Sequence, residues 1–238
     1  MANNNYGDNS IVSLKGPDQV RKRPAVIFGS DGIEGCEHSV FEILSNSIDE
    51  AREGYGKKII ITKFFDGSIE VIDNGRGIPI DYNKSEEKYN WELAFCTFYA
   101  GGKFLNNDGD NYTFALGLNG LGLCATQFSS EYMEVVSDNG TWQYSLSFEK
   151  GFNVTLKENE KGFVKRKSSG VTGTRTKWKP DLDVFTQIDI SDEYFFDVLR
   201  RQAIVNDGLE FVFRKETGDG TFEEHIFCYK NGINDYLD

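Results

Sequence analysis

The sequence predicts an α+β fold. Near residue 40 a stretch has helical periodicity, from residue 57 onward most segments alternate in strand fashion around short turns, and a second helical stretch interrupts them near residue 195. With 238 residues, 39% of them hydrophobic, the chain is expected to form one compact unit around a continuous core.

Residues 1 to 16, rich in Asn, Asp, Ser and Gly, lack periodicity and are predicted to be an arm that orders only against something else, with the globular domain over residues 17 to 238. A helix is predicted to begin near Ser39, placing Phe41, Leu44, Ile48 and Ala51 on one stripe, with Gly54 as its stop. KKIIITKFF and SIEVID read as two strands joined through Asp66-Gly67, a short hairpin signal. After the polar residues 81 to 92 comes an apolar stretch, LAFCTFYA, and then two glycine-rich pieces around an Asn, Asp and Gly loop that is expected to act as a movable cover. YMEVV, WQYSLSFE, FNVTLKE and TGTRTKWKP are predicted as strands, residues 192 to 205 as a helix, and LEFVFRKE with EEHIFCY as a closing hairpin.

Composition narrows the function classes. The net charge of −12, with only short basic clusters at Arg21-Lys22-Arg23 and Lys165-Arg166-Lys167, argues against tight DNA binding by this domain alone. No run approaches the about 20 apolar residues that span a bilayer, and MANNNYGDNS lacks the regions of a signal peptide, so a cytoplasmic protein without membrane partners is expected. Cys36, Cys96, Cys124 and Cys228 stand far apart and read as reduced thiols rather than a zinc site or disulfide framework.

Three segments carry chemistry. In FEILSNSIDEA, Glu42 and Asn46 are one helical turn apart, with Asp49 continuing the polar stripe. A carboxylate beside an amide suits activation of water next to a hydrated cation, because the amide oxygen is a hard neutral ligand. Equally open here is a capping box over Ser39 to Glu42, with Asp49 and Glu50 as solvated charges. In IEVIDNGRGIP, Gly75 and Gly77 allow a flat ligand to approach the backbone and Asp73 can accept from an exocyclic amine, or Asp73 simply caps a turn. In LGLNGLGLCATQ, Gly117, Gly120 and Gly122 precede a predicted helix whose free N–H groups would face an anion, and Lys103 of GGKF stands on the expected cover or is a surface lysine.

The order of these pieces is more specific than any one of them. An acidic-amide helix, then DNGRGIP, GGKF, GLNGLG and TGT, behind VRKRPAVIFG, resembles the GHKL or Bergerat-fold ATPases, and within them the ATPase domain of type II topoisomerase B subunits, from about Val20 to the C-terminus. That resemblance implies a two-layer sandwich of a mixed, mostly antiparallel sheet with helices on one face, and ATP with Mg²⁺ as cofactors.

It also implies roles. Glu42 matches the general base and Asn46 the Mg²⁺ ligand, Asp73 matches the adenine-binding acid, and Gly77, Ile78 and Pro79 line the slot with Thr174 supporting Asp73 through water. Arg76 matches a residue that pairs with the acid at Glu50. Lys103, Gly101, Gly102 and the loop of Gly117, Leu118, Asn119, Gly120, Leu121 and Gly122 fall where the family holds the triphosphate, and residues 80 to 116 correspond to an ATP lid. Ser45, Leu116 and Asn119 depart from the usual residues, Ala25 to Phe28 alter the family's G-M-Y-I, and nothing around Ser137 to Gly140 matches the family's pocket arginine.

The family continues into a transducer domain, which supplies a lysine to the γ-phosphate, and a Toprim region, so the chain is expected to be a piece of a longer subunit. DNA would be engaged through that full-length subunit and its partner A or C subunit. ATP would clamp two copies into a homodimer, with the arm, including Tyr6, crossing to the partner. Mismatch-repair and chaperone relatives, or a non-catalytic nucleotide-sensing module, are the alternatives; His38 and His225 lie in no phospho-acceptor context that would suit a sensor kinase.

Overall fold

The computed structural model describes residues 10–100, 120–230 and 232. Two short helices, α1 (Asp18–Arg21) and α2 (Pro24–Phe28), lead to the long α3 (Ile33–Arg52). The hairpin β1 (Lys58–Lys63) and β2 (Ile69–Asp73) follows, then a small hairpin of β3 (Tyr82–Asn83) and β4 (Lys88–Tyr89), and α4 (Asn90–Cys96). After α5 (Gly122–Phe128) come β5 (Ser130–Asn139), β6 (Trp142–Glu149), β7 (Phe152–Asn153), β8 (Val164–Lys167) and β9 (Thr172–Pro180). The helix α6 (Asp192–Val205) and the pair β10 (Glu210–Glu216) and β11 (Phe222–Phe227) complete the described fold.

All strands except β3 and β4 join one sheet in the order β11-β10-β1-β2-β9-β5-β6-β7, with β8 also on β6. Every pairing is antiparallel apart from β1 with β10. This is the mixed, mostly antiparallel sheet with helices that the family resemblance implies. The two-residue period sends Ile69, Val71 and Asp73 of β2, and Thr174, Thr176 and Trp178 of β9, to the buried face. On the opposite face Arg175 pairs with Glu70 at 2.5 Å and with Glu134 at 3.5 Å, so only one side of the sheet supplies the core. Against that side pack Val40, Ile43, Leu44 and Ile48 of α3 and Phe195 and Leu199 of α6, with Phe195 stacked on Phe213 at 4.9 Å.

Three expectations need correction, while the hairpin through Asp66-Gly67 and the helix stop at Gly54 are formed. Helix α3 starts at Ile33, six residues before Ser39; its first turns are glycine-containing, but Gly35 is what allows the helix to pass against the Ser30 carbonyl. Ser39 is therefore mid-helix, its hydroxyl donating to the Gly35 carbonyl at 3.0 Å, and no capping box joins it to Glu42. The β1–β2 turn has a three-residue loop, closed by Phe64 N–H to the Ser68 carbonyl at 2.9 Å with Gly67 at φ +81°, because the Asp66 carboxylate ties to the backbone and hydroxyl of Ser68. FNVTLKE is strand only at Phe152–Asn153 and then a 3₁₀ turn, capped by the Asn153 side chain accepting from the Thr155 N–H. The predicted stop at Gly54 matches the structure: at φ +89° it donates to the Ala51 carbonyl while Tyr55 donates to Glu50, a Schellman closure.

Ile80, Trp91 and Phe95 are buried, so the first half of the predicted cover is anchored in the core. Residues 101–119, which hold Lys103, Gly101, Gly102, Leu116, Gly117, Leu118 and Asn119, and residues 1–9 with Tyr6 lie outside the described residues. All four cysteines are free, and burial pushes the Cys36 and Cys96 thiols up to about 12, which leaves them unreactive. Among the described residues no helix is long and apolar enough to cross a membrane.

Candidate functional site

The buried face of the sheet does not meet α3 everywhere. Between α3, the end of β2 and the start of α5 lies a cleft of about 780 Å³. Glu42, Asn46, Asp73, Gly77, Gly122 and Thr174 all line it, so residues from four separate segments converge there. Arg76, Ile78, Pro79, Gly120 and Leu121 line it too, as does Glu50.

Asp73 is the third inward position of β2, which puts a carboxylate where the pattern otherwise places Ile and Val. It is 9% exposed. Burial raises its pKa above the ordinary carboxylate range, and the nearby Glu50 adds to that, while three hydrogen bonds oppose it. Its Oδ1 accepts from the backbone N–H of Gly75 at 2.9 Å and of Thr174 at 3.2 Å, and its Oδ2 accepts from the Ser47 hydroxyl at 2.7 Å. Thr174 thus supports Asp73 directly, through its amide. Gly173 makes the approach possible, since at φ +146° it lies against the Asp73 carbonyl, where a β-carbon would overlap.

The glycine-rich turn after Asp73 is shaped by close contacts. A β-carbon on Gly77 would fall 2.6 Å from the Asp138 carbonyl oxygen, and the φ of +82° is one that other residues rarely adopt. Ser137 holds the turn from the other side, donating to the Ile78 carbonyl at 2.7 Å. Arg76 donates to Glu50 through Nε at 2.7 Å and Nη2 at 3.0 Å, and its guanidinium lies 3.8 Å from the centre of the Tyr55 ring. The predicted Arg76–Glu50 pair is therefore formed and fixes one lip of the cleft.

At the other end, Glu42 and Asn46 stand one turn apart on α3. Asn46 donates through Nδ2 to the Glu42 carbonyl at 2.9 Å, which leaves its amide oxygen as the atom to offer a ligand. Among the described residues no group of three or more His, Cys, Asp or Glu could hold a metal, so a cation here would take Asn46 plus oxygens brought by a ligand and water. His38, which the sequence places in no phospho-acceptor context, belongs to this site: its Nε2 lies 3.1 Å from Glu42 Oε1 and its Nδ1 3.3 Å from the Phe28 carbonyl. That carbonyl can only accept, so the Nδ1 contact belongs to the tautomer protonated there, and Nε2 faces the Glu42 carboxylate. The four-residue spacing from Glu42 was the available signal. Asp49, predicted on the polar stripe, is 3% exposed. Ser45 donates to the Glu42 carbonyl at 3.0 Å and is spent on its own helix.

Around Ser137 to Gly140, where the resemblance found no arginine, the chain closes on itself. Asp138 accepts from the Gly140 N–H at 2.9 Å, and Asn139 accepts from the N–H groups of Thr141 and Trp142.

Comparison with known proteins shows the family and the fold. Residues 32–163 match the model of a family described as histidine kinase-, DNA gyrase B- and HSP90-like ATPases. The chain is 32% identical over 98% of its length to the mitochondrial DNA gyrase B protein of Arabidopsis thaliana, covering 32% of that protein. It is 35% identical over 98% of its length to a B subunit of DNA topoisomerase 4 from Staphylococcus aureus, covering 34% of it. The chain thus spans about a third of the length of the curated relatives it matches. Among solved structures, the 43K ATPase domain of Thermus thermophilus gyrase B, in complex with an aminocoumarin, superposes with a TM-score of 0.75 at 29% identity, covering 94% of this chain and 54% of that one.

Proposed function

Because the chain belongs to the histidine kinase-, DNA gyrase B- and HSP90-like ATPase family, we propose that it is the ATP-binding and ATP-hydrolysing domain of a type II DNA topoisomerase, the part carried by that enzyme's B subunits. The observation that carries this reading is the set of bonds on Asp73. A buried carboxylate held by three donors, at the rim of a glycine-walled slot, is an acceptor aimed at the amine of a planar base. Such a charged hydrogen bond is worth about 1.5 to 3 kcal/mol, roughly ten- to a hundredfold in affinity.

With the base on Asp73, the phosphates run toward Glu42, Asn46 and the start of α5, all on the same cleft. Glu42 takes the proton of the attacking water, and His38, 3.1 Å from Oε1, steadies the carboxylate. Asn46 offers its oxygen to Mg²⁺, which when bound neutralises charge on the phosphates. Lys103 and the loop from Gly117 to Gly122 complete the phosphate contacts in this reading. Nucleotide then closes two copies into a dimer, and DNA is engaged through the rest of the subunit and its A or C partner, since this domain carries a net charge of −12. A bacterial subunit of this kind works in the cytoplasm, although the Arabidopsis relative is mitochondrial.

Glu42→Ala tests the assignment. Titration with a non-hydrolysable ATP analogue should give affinity within a few-fold of wild type, while hydrolysis by the longer subunit is lost. Undiminished hydrolysis would remove Glu42 as the base, and a wild-type subunit that binds ATP without turnover would make the domain a nucleotide-sensing module.

A further inference from the structure

We propose that Ser47 is a specificity-determining residue of this site, its hydroxyl leaving Asp73 a single open acceptor position that selects a purine bearing an amino group over one bearing an oxo group. This rests on the reading that Asp73 receives the base. A carboxylate offers about four lone-pair positions over its two oxygens. Gly75 and Thr174 occupy Oδ1 with backbone N–H groups, and Ser47 occupies one side of Oδ2. The two amides prevent the group from rotating, and Ser47, itself 6% exposed and on the cleft wall, determines which side of Oδ2 remains open.

An amino group at that position gains a charge-assisted bond. A carbonyl oxygen meets an anion and is repelled, unless Asp73 takes up a proton and becomes a donor. That proton would have to settle on Oδ2, because Oδ1 is filled. Ser47 is the only side chain donating there among the described residues, and hydrogen bonds to the charged form oppose protonation. The other groups facing Asp73 do not do this work. Glu50 on α3 favours the protonated acid, Arg76 is engaged by Glu50, β1 presents Ile59 opposite Asp73, β9 presents Thr174, and the Asp138 carboxylate on β5 is bonded to the Gly140 amide.

The test is calorimetric titration of wild type, Ser47→Ala and Ser47→Thr with non-hydrolysable ATP and GTP analogues, between about pH 5.5 and 8.5. Alanine is a good helix former, so the Ala variant should fold. Its adenine affinity should fall about tenfold at the acid end and less at the alkaline end, the pH of half-maximal binding should rise, and the preference for adenine over guanine should narrow by about tenfold. Threonine, which keeps the hydroxyl, should restore the preference. An unchanged purine ratio in Ser47→Ala, or a loss equal at every pH, would overturn the inference alone. Failure of the wild-type chain to bind either analogue would overturn the nucleotide reading and this inference with it.

Discussion

Gly122, the first residue of α5, lies so close to the Glu42 carboxylate that a β-carbon on it would overlap Oε2. The position of the base is therefore set by the absence of a side chain on a neighbouring helix. Gly122→Ala should displace Glu42 while improving the helix, because Ala is favoured over Gly by about 1 kcal/mol. A shift of roughly 1 Å in a reacting group costs about a hundredfold in rate. Hydrolysis by the longer subunit should fall by that order with no loss in melting temperature of the domain; wild-type turnover would mean that the carboxylate tolerates the methyl group.

Asp73→Asn should separate stability from binding. Burial raises the Asp73 pKa above 3.8, so the folded chain holds that proton more tightly than the unfolded chain does. Its contribution to stability is fully present below the unfolded pKa and is lost as pH rises through the folded one. The amide keeps the acceptor for Gly75 and Thr174 without the charge. At neutral pH the variant should melt no lower than wild type, its stability should lose part of its decline above about pH 4, and affinity for an ATP analogue should drop at least about tenfold. Calorimetry and thermal melts over pH read all three.

His38→Ala should affect turnover rather than binding. The imidazole bridges the Phe28 carbonyl and Glu42 and touches Phe28 edge-on at 6.0 Å between ring centres. Without it the carboxylate gains rotational freedom. Steady-state kinetics of the longer subunit should give kcat lower by about tenfold, a small part of what a general base supplies, with KM nearly unchanged.

Arg21, in the VRKRP segment, should prove structural. It donates to Asp181 at 2.6 Å and to the carbonyls of Phe128 and Ser130, tying α1 to the ends of α5 and β9. Its side chain and that of Asp181 are 14% and 7% exposed. Arg21→Ala leaves the acid buried and unpaired, so urea unfolding should show a loss of about 3 kcal/mol, with ATP-analogue affinity little changed under conditions where the variant is folded.

Much of the architecture was legible because its signals are local. The helix over residues 192 to 205 reads directly from its own residues, and β2 ends at Asp73 where glycines begin. The start of α3 was not legible, since Gly32 and Gly35 look like loop residues until Ser30 and Phe185 are seen packed against Gly35. The parallel pairing of β1 with β10 joins Lys58 to Glu210 across the whole chain, and no local pattern announces it. In the site, residue type and spacing singled out Glu42, Asn46 and Asp73 as candidates, but only the order of the motifs, and the resemblance it carries, gave them roles. Ser47 and Gly173 were not, because each matters through a contact with Asp73 made only when α3 and β9 close over the end of β2.

The most direct measurement is a crystal structure of the chain with Mg²⁺ and a non-hydrolysable ATP analogue. The adenine amine should lie within about 3 Å of the open side of Asp73 Oδ2, with the Asn46 oxygen on the metal and Glu42 facing the terminal phosphate. A base bound elsewhere, or a cleft closed by the protein's own side chains while the nucleotide lies outside it, would contradict that placement.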